Sequence, residues 1–336
     1  MSKIIWIPLE PLDQRYTKMW ACQFPAAFKE LNVNFITVEG KALTNKIEIG
    51  SVLDAYSTNY WKMRQLANLI EKMRSGEVTS EDTLLFADIW HPGLEALEYI
   101  SCLGGVRPKI TGVLHAGTYD SFDFTYLHGM RPWGRPLEEC WFSFVDCMFV
   151  GSEYHKKMVL SNFRIPEEKV VVTALPFYPP SNDGDLTKDD NLIVFPHRLD
   201  SEKRPWEFDI MSRAFPQANF YKTKEHNLTK REYFDVLSKA SIVVSFAQHE
   251  NFGYSMFEAT ASGCVPLMPN GLSYKEYYPQ DFLYGSTTEL YQIIGRLLND
   301  SKYLKSMREL VKKTALVHKD EFSHSIERMT KVINKV

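Results

Sequence analysis

No glycine occurs before Gly40, although the chain opens on an apolar run, Lys3–Ile7, that reads as a strand. That absence excludes a glycine-rich phosphate-binding turn after the first strand. The five cysteines (Cys22, Cys102, Cys140, Cys147 and Cys264) are odd in number and show no paired metal spacing. They read as ordinary thiols in a reducing compartment. No apolar run approaches membrane-spanning length, and that of the first fifteen residues is too short for a signal peptide. A cytoplasmic protein is expected. Single-sign charge is also lacking: the net charge is -3, which excludes a global attraction to nucleic acid or anionic membrane, so any basic site must be local. There is no 20–50-residue repeat and no low-complexity segment.

What is present is an alternation of short β-rich apolar runs with helix-period segments. Over 336 residues, 44% of them hydrophobic, this predicts an α/β protein of two doubly wound, Rossmann-like domains flanking a central cleft. Strands are expected at Lys3–Ile7, Asn34–Val38, Thr83–Ala87, Lys109–Leu114, Cys147–Val150 and Lys169–Thr173. The helix before the third strand carries Met63, Leu66, Leu69, Ile70 and Met73 on one face, with Gly76 able to end it. The proline-, glycine- and acid-rich stretch PFYPPSNDGDLTKDDN marks a boundary. The expected division is 1–178, a linker 179–190, a second domain 191–318, and a C-terminal helix 319–336 able to pack back on the first. The Asp-Gly-Asp in the linker resembles an acidic metal pair but reads better as a solvated turn.

Two glutamates, Glu250 and Glu258, bracket the stretch QHENFGYSMFEATASG. It follows the apolar strand SIVVSFA, and ligands of open α/β sheets bind at the carboxyl ends of strands. A helix starting near Phe252 and ending at Gly263 would offer its N-terminus to a phosphate, with Gly253 allowing close approach. Eight residues of helix rise roughly 12 Å, so the carboxylates flank that site. Carboxylates accept strong hydrogen bonds from sugar hydroxyls, and one on each side of a diphosphate suits a nucleotide sugar. Taken alone, such a pair reads more readily as a dipole-favoured N-terminal acid and an exposed helix residue.

The run SFAQHENFGYSMFEATASGCVPLMPN resembles the signature of the retaining glycosyltransferases of family four, which have the GT-B fold. It matches at Glu250, Phe252-Gly253, Glu258-Ala259, Gly263 and Val265-Pro266. PHRLDSEKRPW resembles the Gly-Arg-Leu…Lys segment of that family, with His197 standing where the glycine is usual. The resemblance implies donor binding by Arg198, Lys203, Glu250, Asn251, Phe252, Gly253 and Glu258. Glu250 would lie at the sugar and Glu258 at the ribose, with Arg198 and Lys203 on the diphosphate, where a fork-shaped guanidinium and a point-charge ammonium are well suited.

By strand position His115 falls where the family often has a histidine facing the sugar, although a lone histidine is as readily structural. Arg198, Lys203, Glu250 and His115 form the expected catalytic set. The resemblance implies a UDP- or GDP-type sugar as donor substrate, no prosthetic group and no required metal, and transfer of a hexose or pentose with retention. FVGSEYHKKMVLSNFRIPEEKVVV resembles a further segment of the family.

Acceptor candidates are weaker. Without the glycine-rich turn, Gln14, Arg15 and Thr17 are expected to replace backbone contacts, and Asp88, with Trp90 and His91, ends a strand on the same edge. Arg131, Trp133 and Arg135 interleave cation and aromatic in HGMRPWGRP, a turn or loop able to cover the cleft or to stack on and contact nucleic acid. The acceptor is expected to be soluble: a small metabolite, a protein or a nucleic acid, with a hydroxylated base in DNA as one candidate. An epimerase or phosphorylase of the same fold is the rival enzyme reading, and a non-catalytic nucleic-acid-binding protein the rival of another class.

Overall fold

The computed structural model describes residues 2–12, 16–43, 54–178 and 187–335. Gln14, Arg15 and the Asp-Gly-Asp of the linker lie outside the described residues. The chain divides into two units, Met1–Pro176 with His324–Val336, and Phe177–Ser323.

In the first unit six parallel strands form one sheet in the order β2-β1-β3-β4-β5-β6. They are β1 (Ile4–Ile7), β2 (Phe35–Thr37), β3 (Thr83–Phe86), β4 (Lys109–Val113), β5 (Cys147–Val150) and β6 (Val170–Val172). The central strands are apolar without alternation and fully buried, as a parallel sheet covered on both faces requires. Around them lie α1 (Tyr16–Glu30), α2 (Ala55–Ser75), α3 (Leu94–Gly104), α4 (Phe124–Leu127), α5 (Arg131–Phe144) and α6 (Glu153–Asn162). Trp6 of β1 stacks on Phe24 of α1 at 4.0 Å.

Asp54 caps α2 by accepting from the Tyr56 and Ser57 amides, and Gly76 ends it in the left-handed region at φ 77°. Its buried face is not quite the one that periodicity suggests. Trp61, Lys62, Gln65, Leu69 and Met73 point inward, while Met63 is exposed. Gln65 explains the rotation, because its amide nitrogen donates to Pro8 O and Val38 O at the ends of β1 and β2.

The expected loop HGMRPWGRP is largely helical. Pro132 sits in the first turn of α5, where a missing N–H costs nothing. Gly134 lets the helix close on Thr118, whose methyl would lie 2.6 Å from an added Cβ.

The second unit has five parallel strands in the order β11-β10-β9-β7-β8: β7 (Asp189–Phe195), β8 (Asn219–Lys222), β9 (Ala240–Val244), β10 (Val265–Pro269) and β11 (Leu283–Tyr284). Its helices are α7 (Pro205–Ala214), α8 (Lys230–Lys239), α9 (Tyr254–Ala261), α10 (Tyr274–Tyr277), α11 (Thr287–Asn299) and α12 (Ser301–Ser323). The last helix, α13 (Ser325–Ile333), returns to the first unit. There it buries Ile326, Met329 and Ile333, and Arg328 donates twice to Thr173 O at 3.0 and 2.8 Å. The break lies at Ser323/His324 rather than at 318/319, and β7 begins at Asp189, inside the expected linker.

Candidate functional site

In an open α/β sheet the ligand crevice opens where consecutive connections leave a strand in opposite directions. In the second unit this is between β7, which pairs with β8 on one side, and β9 on the other. The residues after β7 include His197, Arg198 and a 3₁₀ turn, Ser201–Lys203; those after β9 run from Ser245 to Gly253. The Gln248 amide donates to Glu202 O at 2.8 Å and ties the two segments together.

Lys203 is buried, and its ammonium donates to His249 O and to Glu250 Oε2, the latter at 3.3 Å. Burial by itself would raise the Glu250 carboxyl, but the adjacent Lys203 charge outweighs it and holds the group below its usual value. His197 contributes little to this, because it is uncharged at neutral pH. Burial, reinforced by Lys203, pushes its imidazole down to about 3. The ring bridges three elements, with Nε2 at 2.7 Å from Ser245 Oγ and Nδ1 at 3.0 Å from Ser255 Oγ in the first turn of α9. Ser245 Oγ lies 3.0 Å from the Tyr274 hydroxyl. The His197 imidazole therefore ties the ends of β7 and β9 to α9.

Gly253 adopts φ 105°, and an added Cβ would stand 3.0 Å from Tyr274 Cε1. It precedes the N-terminus of α9, whose dipole and amides favour an anion. The helix starts at Tyr254, two residues later than expected, so Glu250 lies in the loop and Glu258 one turn inside the helix. Asn251 is buried beside the crevice. The Phe252 ring packs on Phe257 and Phe322 at 4.7 and 5.0 Å, so its side chain is core and only its backbone can serve a ligand. Glu258 pairs with Lys230 at the start of α8. Arg198, 41% exposed, pairs with Asp200 at 2.8 Å and Glu202 at 3.2 Å. Ser245, Ser255, Tyr274 and Lys230 escaped sequence reasoning; the residue departure at His197 was the one signal pointing to the first three.

In the first unit the corresponding crevice lies between β1 and β3. Glu10, after β1, accepts from Thr58 Oγ1 at 3.3 Å. Asp88, after β3, accepts from the Trp90 amide at 3.0 Å and from Lys62 at 3.3 Å. Thr17 accepts from the Leu12 amide at 3.2 Å and so braces the start of α1. His115 lies after β4. Its Nε2 is 2.9 Å from Ala87 O, its ring packs against Tyr16 and Trp20, and burial lowers its pKa against the pull of Asp88. His91 is buried and likewise held neutral, first by burial and then by Lys62.

Arg135 is committed to structure: its guanidinium bonds Asn162 and Glu139 and lies 4.6 Å over the Phe163 ring. Arg131 lies over the Tyr126 ring at 5.3 Å, and Trp133 is 53% exposed, edge-on to Trp90 at 6.3 Å. An open groove of about 630 Å³ lies among Tyr126, Arg131, Pro132 and Arg135. Glu138, fully buried, was missed from sequence; it accepts from Thr118 N, Thr118 Oγ1 and Trp90 Nε1 at 2.6, 2.7 and 2.9 Å. Among the described residues no group of three or more His, Cys, Asp or Glu side chains could hold a metal ion, and no helix is long and apolar enough to cross a membrane.

No protein-family model matches the chain. A tRNA-queuosine alpha-mannosyltransferase of Drosophila melanogaster is 44% identical over 64 residues, which is 19% of this chain and 17% of that protein. The match thus spans about a sixth of that relative's length. Among solved structures, a sucrose-phosphate synthase from Thermosynechococcus elongatus is similar at a TM-score of 0.70 and 13% identity, covering 100% of this chain and 99% of that one. A UDP-forming trehalose-phosphate synthase from Burkholderia xenovorans is similar at 0.66 and 12% identity, with the same coverage. Two parallel Rossmann-like sheets in this order, matched over whole chains by such enzymes, establish that the protein has the GT-B fold of glycosyltransferases.

Proposed function

We propose that the protein is a retaining, nucleotide-sugar-dependent glycosyltransferase whose donor is held by the second unit. The observation that carries this reading is the buried Lys203–Glu250 pair in the β7/β9 crevice, beside the N-terminus of α9. A buried pair is costly unless well compensated, and this one stands where an α/β sheet binds its ligand. With donor bound, Lys203 and the dipole of α9 face the diphosphate, Arg198 exchanges its local carboxylates for phosphate oxygens, Glu250 meets the sugar and Glu258 the ribose hydroxyls. Cations on the leaving diphosphate stabilise the charge that develops as the sugar C1–O bond breaks. The acceptor oxygen bonds to C1 on the same face, and its proton passes to a phosphate oxygen. His115 stays neutral and lines the acceptor side.

The acceptor we propose is a hydroxyl on a modified nucleoside. Similarity to a tRNA-queuosine alpha-mannosyltransferase supports tRNA over DNA as the bearer of that nucleoside, and the exposed Trp133 with Arg131 supplies a stacking ring and a cation. Donor binding is tested by thermal shift with UDP, GDP and ADP, because a bound ligand raises apparent stability. The matching nucleotide should raise the Tm, and Arg198→Ala and Lys203→Ala should each weaken its affinity by about tenfold or more, roughly 1.4 kcal/mol. Unchanged affinity in both variants would refute the assignment.

A further inference from the structure

Helix α2 turns a lysine into the protein. Lys62 sits on its buried face, with its side chain 8% exposed, and its ammonium donates to Asp88 Oδ2 at 3.3 Å and to Trp90 O. Desolvating both charges costs several kcal/mol per ion, which mutual attraction offsets only in favourable geometry. Anchoring alone does not require such a pair. Three residues further on, neutral Gln65 already ties the same helix face to the ends of β1 and β2 through bonds of 2.7 and 3.1 Å. The charge therefore serves something other than attachment of the helix.

Its partner is placed to meet a ligand. Asp88 follows β3 at the switch point of the first sheet, next to β1. The Trp90 amide fixes one carboxylate oxygen and Lys62 the other, while 18% of the side chain stays exposed. Each oxygen of an ionised carboxylate has two lone-pair directions, so the fixed group retains capacity for an outside hydroxyl. Trp90 joins this carboxylate to an aromatic surface. Its amide holds Asp88, its indole N–H donates to buried Glu138, and its ring lies 6.3 Å from that of the exposed Trp133, at 74° between the planes. A flat ring stacks on Trp133 while a hydroxyl reaches a carboxylate: a hydroxyl-bearing nucleoside uses both.

We infer that Asp88 accepts a hydrogen bond from the acceptor hydroxyl and that Lys62 is the positioning residue that fixes Asp88 for it. This rests on the proposed glycosyl transfer.

The test uses the full chain, UDP- and GDP-sugars, and unfractionated tRNA as acceptor, with nucleotide affinity measured separately by calorimetry. Asp88→Asn should bind the nucleoside diphosphate within about twofold of wild type and lose about 100-fold in transfer to tRNA. Lys62→Met should raise the KM for tRNA and lower kcat with nucleotide affinity kept, and Lys62→Arg should recover most of the loss. A packing role for Lys62 predicts instead that the apolar methionine is tolerated. Wild-type KM and kcat in Asp88→Asn, or in Lys62→Met, would overturn the inference. A wild type that binds nucleotide but glycosylates no tRNA removes the acceptor reading and this inference with it. One that binds no nucleotide removes the donor reading first.

Discussion

At the residue scale, Glu250 and Glu258 sit in different electrostatic surroundings. Glu250 is held ionised against its burial by Lys203, whereas Glu258 pairs with the more exposed Lys230. Replacing Glu250 by glutamine leaves a buried ammonium without its counter-charge, a change that costs about 3–5 kcal/mol in a well-buried pair. Glu250→Gln is therefore expected to lower the Tm, regain stability when nucleoside diphosphate occupies the lysine, and lose at least about 100-fold in kcat. Glu258→Ala should instead weaken nucleotide affinity by about tenfold, roughly 1.4 kcal/mol. Calorimetry and steady-state rates on the two variants separate these outcomes, and wild-type turnover in Glu250→Gln would exclude its role at the sugar.

At the scale of the element, α9 depends on the glycine before it. Gly253 has φ 105°, a conformation that disfavours a side chain, and its neighbour is the buried ring of Tyr274. Tyr274 in turn lies in the Ser255–His197–Ser245 chain that ties α9 to the ends of β7 and β9. Gly253→Ala should cost about 1–3 kcal/mol in stability through backbone strain and misplace the helix N-terminus. Denaturant unfolding and nucleoside-diphosphate titration should move together in this variant. A variant that unfolds at the wild-type midpoint would show that the loop relaxes freely. The signature's order, glutamate, Phe-Gly, Glu-Ala, was legible as a loop leading into a helix at a strand's end. That the Phe252 ring belongs to the core was not, because phenylalanine beside glycine carries the same letters whether it faces a ligand or Phe257 and Phe322.

At the scale of the whole molecule, buried neutral histidines set an acid limit. Burial pushes His197 down to about 3 and His318 to about 4 from the ordinary 6.5. Both stay uncharged when folded and take up a proton when unfolded. The unfolded chain thus binds more protons below about pH 6.5, and stability falls as pH falls from there toward about 4, by up to about 1.4 kcal/mol per pH unit for each histidine. Unfolding midpoints between pH 7 and 4.5 should show this slope, and His318→Gln, which removes one titrating group, should flatten it. An unchanged slope would mean that His318 protonates in place.

By itself the sequence determined that two parallel α/β units form, because buried parallel strands are written as continuous apolar runs such as IIWI, TLLF and SIVV that need no tertiary context to read. It also determined which two strand ends carry the runs proposed to bind the donor, since Arg198 and Lys203 follow one such run and Glu250 and Gly253 another. Tertiary structure alone decided the rest. The inward turn of Lys62, the commitment of Arg135 to Asn162 and Phe163, and the bridge at His197 all join residues far apart in the chain. A cation's role depends on which carboxylate, carbonyl or ring the fold brings to it, and local pattern does not encode that partner.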